Sequence, residues 1–271
     1  MNGWSLRRLW EIVAGTITAL SFQKRNPDRV SVFLDGKFAF GLAALDAATL
    51  RRGQELSDGE IVQLRALDLR SKAYDRAVSF LAVRPRSIWE VEQNLRRYRP
   101  GSKRRSTMDG SKRGGRSKKA DGLDGWEEPT TPDSEEAEEA AALPRLPDET
   151  IEWVIQKLTV QGYVDDRAFA QYWIDQRSEF KPMAPRALRY ELRKKGVAVS
   201  IIDALVTEQI DADEAALDAA RSRLYRWQHL TYDEFQHKMV GFLQRRGFSW
   251  SAVSAAVEII WQEIETEQSD Q

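Results

Sequence analysis

The chain has 271 residues, is 42% hydrophobic and 31% charged, and carries a net charge of −1 with no cysteine. That excludes disulfides, thiolate metal sites and thiol catalysis; His229 and His237 are too few for a histidine-based metal centre, and no apolar run reaches the roughly 20 residues that span a bilayer. With 41 Lys/Arg against 42 Asp/Glu, the chain as a whole is not a strongly basic nucleic-acid binder, although local basic faces are compatible with this balance.

Arg7 and Arg8 lie inside Met1–Glu11 rather than ahead of an apolar stretch, so no signal peptide is expected. A cytoplasmic protein without a membrane segment is the expectation. Strand character follows: Gly15–Phe22 and Arg29–Leu34 are β-branched, and Lys37–Leu42 completes a second pair around Asp35-Gly36. An Asp-Gly pair between two such runs predicts a type I′ hairpin, because both central residues of that turn need positive φ. Residues 1–56 are read as a small three-stranded β unit, with a short helix over Leu42–Leu50 closed by Gly53.

The period turns helical at Ser57, which with Glu60 makes a capping box. Tyr74, Ala77, Val78 and Leu81 form the apolar stripe, and Pro85 ends it. Ser87 and Glu90 make a second box, opening a helix that runs to Tyr98. Residues 99–147 differ: basic residues crowd into Arg97–Lys119 and acidic ones into Asp121–Glu139. So little apolar surface does not offset the entropy of ordering, and disorder is predicted. This insertion is either a tolerated surface segment or a basic arm for nucleic acid or an acidic surface.

Helical pattern resumes at Asp148, with Ile151, Val154, Ile155 and Leu158 in the stripe and Gly162 placed to end it. Asp165 or Asp166 caps the next helix, which carries Phe169, Tyr172 and Trp173. A helix with Leu188 and Leu192 ends at Gly196. Ser200–Ile210 and Asp213–Trp227 are helical, and Thr231 with Glu234 boxes a helix ending at Gly247. Ser251 opens the last helix.

The helices repeat. Leu192-Arg-Lys-Lys-Gly196 and Leu243-Gln-Arg-Arg-Gly247 share one signature, and Leu95-Arg-Arg-Tyr98 is a third copy without its glycine. The chain is therefore read as mainly α, with tandem three-helix repeats in an elongated curved array and a small N-terminal β unit. The repeats are 57–98 plus 148–165, then 166–212, then 213–267, with 99–147 inserted in the first. The cations after each leucine suit a helix C-terminus; they also suit a face that meets acidic or phosphate-bearing partners.

These residues resemble the RecX family. The match lies in Ala82-Val-Arg-Pro-Arg-Ser87, in Gly162-Tyr-Val-Asp-Asp166 leading to Phe169-Ala170 and Tyr172-Trp173, in Glu191-Leu-Arg-Lys-Lys-Gly196, in Leu243-Gln-Arg-Arg-Gly-Phe248, and in the strand segment Gly15–Leu42. It covers residues 15–98 and 148–265. The resemblance implies a regulator that binds the RecA filament, in its helical groove, and acts on ATP hydrolysis and strand exchange, most members suppressing RecA. The first repeat departs from the family in lacking its glycine and in carrying the insertion, and the N-terminal leader is extended.

The expected protein is a monomer with no cofactor, metal or catalytic residue. Partner contact is assigned on charge to Arg84, Arg86, Arg96, Arg97, Arg189, Arg193, Lys194, Lys195, Arg245 and Arg246. The alternative is a direct DNA binder using these corners and the Arg97–Lys119 arm. Asp165 and Asp166 are read as helix caps, since a lone adjacent pair builds no metal site. Trp89, Tyr163, Trp173, Trp227, Trp250 and Trp261 are assigned mostly to packing, and His229 and His237 to the surface.

Overall fold

The computed structural model describes residues 14–24, 26–100 and 145–269. Most of the segment expected to be disordered, 99–147, lies outside them. The described chain divides into two compact units, one reaching Arg76 and resuming over Leu95–Ile151, the other made of Ala77–Asn94 and the chain from Glu152 onward.

In the first unit, β1 (Gly15–Gln23), β2 (Asn26–Leu34), β3 (Lys37–Ala43) and β4 (Glu55–Leu56) form an antiparallel sheet in the order β3-β2-β1-β4. Strand alternation sends Ile17, Val30, Val32, Leu34, Phe40 and Leu42 to one buried face. Ala47 of α1 (Ala44–Ala47) and Ile61 of α2 (Asp58–Leu81) join that core. The Asp35-Gly36 turn has φ of 47° and 78°, as the hairpin requires. Two expectations are corrected. The sheet has a fourth, two-residue strand, which pairs Gly15 with Leu56 and Thr16 with Glu55. Gly53 does not close a helix: its N–H donates to the Ile17 carbonyl at 2.8 Å, so it brings the chain back to β1.

The Ser57 box forms, with the Ser57 N–H donating to Glu60 at 2.8 Å and the Glu60 N–H to Ser57 Oγ at 3.3 Å. The Ser57 hydroxyl, donating to the Glu60 carboxylate at 2.7 Å, and then the Ser57 N–H hold that carboxyl below its ordinary range. Along α2 the buried stripe is Ala73 and Ala77, whereas Val78 is 38% exposed. Asp68 of α2 is buried and takes both Arg29 of β2 and Lys72, which ties helix to sheet.

The remaining helices are α3 (Ile88–Arg97), α4 (Asp148–Val160), α5 (Asp166–Phe180), α6 (Pro185–Lys194), α7 (Val199–Gln209), α8 (Ala212–Trp227), α9 (Tyr232–Arg245) and α10 (Trp250–Ser269). Helices α5, α6 and α7 share one core of Phe169, Ile174, Leu188, Leu192, Ile202, Leu205 and Val206. Helices α8, α9 and α10 share another, in which Ala216, Ala219 and Ala220 let α10 come close to α8. Asp165 and Asp211 cap α5 and α8 through bonds to the second and third helical N–H groups. Thr231 does not: its hydroxyl donates to Glu234 at 3.3 Å and makes no bond to the first N–H groups of α9.

Candidate functional site

The candidate site is the corner that ends a repeat's middle helix. In α6 the Val197 N–H donates to the Leu192 carbonyl at 3.2 Å and the Gly196 N–H to the Arg193 carbonyl at 2.9 Å. In α9 Phe248 reaches Leu243 at 3.3 Å and Gly247 reaches Gln244 at 2.9 Å. This is the Schellman motif, with glycine at positive φ, 77° and 85°. Leucine is required at one end because it packs on the residue after the glycine; Leu192, Val197, Leu243 and Phe248 are all buried. The spacing from leucine to glycine thus has a backbone cause, and the cations between them lie where the helix dipole favours positive charge. Gly162 closes α4 in the same way, with Tyr163 bonding to Leu158 at 2.9 Å.

Each of the two later corners docks on the start of the preceding repeat's middle helix. In the first joint Ser87 Oγ donates to the Lys195 carbonyl at 2.5 Å. In the second the Ala184 N–H donates to the Arg246 carbonyl at 3.2 Å. Ser87 and Ala184 both stand eight residues before their leucine, and Lys195 and Arg246 three after theirs. The last carbonyls of a helix have no partner of their own, and the neighbouring repeat supplies one each time. Close approach needs the glycine: a Cβ on Gly196 would overlap the Trp89 side chain, and one on Gly247 would lie 3.1 Å from Ala187 Cβ.

The first joint is charged. Arg84 donates to Glu90 through both terminal nitrogens, at 3.2 and 2.9 Å, and Lys195 Nζ reaches the same carboxylate at 3.1 Å. Lys195 also stands 4.0 Å over the Trp173 ring. The Ser87–Glu90 box forms, and Asp166 accepts the Ile88 N–H at 2.8 Å, so the Ile88 and Glu90 N–H groups at the start of α3 are satisfied. Burial by itself raises the Glu90 carboxyl, but hydrogen bonds from Arg84 and the charge of Lys195 outweigh it and hold it below its ordinary value. Burial, aided by Arg84, pulls the Lys195 ammonium down despite Glu90. Burial and then the Asp165 and Glu90 charges push Asp166 up, against the Ile88 N–H.

The ten cations expected at a partner surface fall into two groups. Arg84 and Lys195 are in the first joint. Arg86 is buried and lies 4.1 Å over the Phe80 ring. Arg246 donates to the Pro182 carbonyl at 2.9 Å, and Arg189 bridges to Asp203 and Thr207 on α7. Arg97, Arg193, Lys194 and Arg245 are exposed; Arg96 is also exposed and pairs with Asp148 at 2.6 Å. Charge alone does not separate these groups, and charge reasoning missed Ser87, Glu90, Trp89 and Asp166. Their signal was positional: Ser87 and Ala184 hold one place in the repeat. Trp173, Trp227 and Trp261 pack as expected, but Trp89, Tyr163 and Trp250 are 43%, 62% and 65% exposed. His229 and His237 are exposed, and among the described residues no group of acidic or histidine side chains is arranged to hold a metal. No described helix is long and apolar enough to cross a membrane.

Comparison with known proteins gives this geometry a family. Residues 15–57 match the regulatory protein RecX N-terminal domain, residues 165–205 the second RecX three-helix domain and residues 211–257 the third. Regulatory protein RecX of Streptomyces coelicolor is 33% identical over 135 residues, which is 49% of this chain and 70% of the relative. That of Bacillus subtilis is 27% identical over 248 residues, 90% of this chain and 76% of the relative. A crystal structure of regulatory protein RecX has the same fold, with a TM-score of 0.55 at 22% identity over 90% of this chain and 99% of the other. The chain is mostly helical, with three-helix domains in tandem behind a small antiparallel strand unit, and it belongs to the RecX family of regulatory proteins.

Proposed function

We propose that this chain binds the RecA filament and inhibits its ATP hydrolysis and strand exchange, acting as a cytoplasmic monomer in recombinational repair and the SOS response. Membership of the RecX family carries this reading. Partner contact is assigned to Arg193, Lys194 and Arg245 in the second unit, and separately to Arg96 and Arg97 in the first, because these cations are exposed while Arg84, Arg86, Arg189, Lys195 and Arg246 are engaged within the chain. Exposed cations on a helix end steer an acidic partner and set its orientation more than they add raw affinity. The test is ATP turnover by RecA on single-stranded DNA with the purified chain added. Falling turnover with filament association supports the proposal; unchanged turnover without association overturns it.

A second reading is direct DNA binding through the same corners and the Arg97–Lys119 arm. One observation favours it: Lys194 stands 5.1 Å over Tyr190, which is 60% exposed, beside exposed Arg193. An aromatic ring beside cations is the equipment of single-strand binding. Affinity for an oligonucleotide that falls steeply with salt, in the absence of RecA, selects this reading. Deleting residues 101–147 separates the arm from the corners.

A further inference from the structure

The two joints share their backbone but not their charge balance. In the first, Arg84 Nη1 donates to the Pro85 carbonyl at 2.8 Å and the Glu90 carboxylate closes on that guanidinium and on Lys195. In the second, Arg246 Nη1 donates to the Pro182 carbonyl at 2.9 Å. Pro85 and Pro182 each stand ten residues before their leucine, while Arg246 holds the place of Lys195 and Lys181 that of Arg84; Arg246 thus reaches in the second joint the carbonyl that Arg84 reaches in the first. The place of Glu90, five residues before the leucine, is held by Ala187.

The cations remain and the anion does not. Arg246 lies 4.8 Å from the centre of the Phe242 ring and Arg223 lies 5.3 Å from the same ring. Arg177 is close enough to repel Arg246, but Glu191 already takes it at 2.8 Å. Among the described residues, no carboxylate lies within ion-pair distance of Arg223 or Arg246. Burial, then Arg223 and Arg177, pull the Arg246 guanidinium below its ordinary range. Neither arginine is fully buried, and Gly247, next to Arg246 in the chain, is exposed, so an outside group has access.

We propose that the joint between the second and third repeats is a carboxylate-binding site, where an acidic side chain of a protein partner takes the place that Glu90 fills in the first joint. The molecule's own template is a carboxylate held by a guanidinium that a proline carbonyl orients, a geometry that favours paired hydrogen bonds. That the partner is a protein rests on the proposed function; the anion site itself does not.

The test uses the full chain without RecA. Thermal unfolding is followed in potassium acetate and in potassium chloride at equal ionic strength, and binding of a short polyglutamate peptide and of a thymidine oligonucleotide is followed by anisotropy. Ala187→Glu supplies the missing carboxylate from within, at a helix start where a carboxylate is favoured. It is expected to raise the melting temperature in chloride by about 2–4 °C and to abolish the additional stability that acetate gives the wild type. Peptide affinity is expected to drop about tenfold or more in both Ala187→Glu and Arg223→Gln. Arg223→Gln removes no internal hydrogen bond or ion pair among the described residues, so it keeps the test open if Ala187→Glu fails to fold. Equal melting temperatures in both salts with peptide binding unchanged in the variants would overturn the proposal. So would loss of oligonucleotide binding alone, which would mark a phosphate site. Because RecA is absent, failure here leaves the RecA reading standing, and failure of that reading leaves the acetate result standing.

Discussion

The first and second joints solve one problem with different chemistry. Each uses a glycine corner to bring a helix end against the start of the preceding repeat's middle helix, and each satisfies an orphan carbonyl across the gap. Around that bond the first joint places Ser87, Glu90, Asp166 and Lys195, and the second places Ala184, Ala187 and Phe242, with Ala184 built into the third repeat's apolar core. The difference teaches that the repeat preserves backbone geometry and leaves the side chains free to specialise. The third repeat shows the same freedom at its own docking position. Phe235 stands where Ser87 and Ala184 stand, and it is covered by Trp261 at 5.4 Å, from an α10 of 20 residues against 11 in α7. The third repeat thus fills its docking position from within itself.

The comparison breaks most readily at the glycines. Gly196→Ala forces a left-handed conformation on a residue with a Cβ and drives that Cβ into Trp89, so the expected loss is about 3–5 kcal/mol in urea unfolding. Gly247→Ala meets only Ala187 at 3.1 Å and is expected to lose about 1–3 kcal/mol. Equal losses would mean that the joints are not packed differently.

Next in size is Glu90→Gln, which leaves Lys195 and Arg84 without their shared counter-charge while their side chains are 14% and 21% exposed. We expect about 2–3 kcal/mol, less than for a fully enclosed pair, with rescue in the double variant Glu90→Gln/Lys195→Met measured as a coupling energy. Ser87→Ala removes both a helix cap and the bond to the Lys195 carbonyl, and about 1–2 kcal/mol is expected. Ala184→Ser, the reciprocal change, restores no missing partner, because the Ala184 N–H already makes the bond.

The smallest effect is in pH. The folded Glu90 pKa lies below its ordinary value of 4.5, so its contribution is complete above that value and fades as pH falls through the folded one. Asp166, raised from 3.8, has the opposite sign: the folded state binds its proton more readily, so acid relieves a strain there. Denaturation midpoints compared between wild type and Glu90→Gln should converge as the pH drops below about 4.5. Midpoints that stay parallel would remove Glu90 from the joint's electrostatics.

Much was legible along the chain because local rules are strong. The Asp35-Gly36 turn, the Ser57 and Ser87 boxes, the Asp165 cap and the leucine–glycine corners each follow from a few neighbouring residues whose backbone preferences admit few alternatives. Thr231 did not follow its rule, since its hydroxyl found the Glu234 side chain instead of the backbone. Strand β4 was invisible because two residues carry no period, and only the sheet edge at Gly15 and Thr16 makes them a strand.

The sequence by itself determined that this is a tandem helical protein with a strand unit in front, since capping, periodicity and repetition act over short stretches of chain. Only the tertiary structure decided which cations are occupied and which are presented. Lys194 and Lys195 are neighbours in sequence, yet one is exposed and the other lies against Trp173 and Glu90. Successive residues at a helix end point in different directions, and which direction meets a carboxylate depends on a repeat about a hundred residues away.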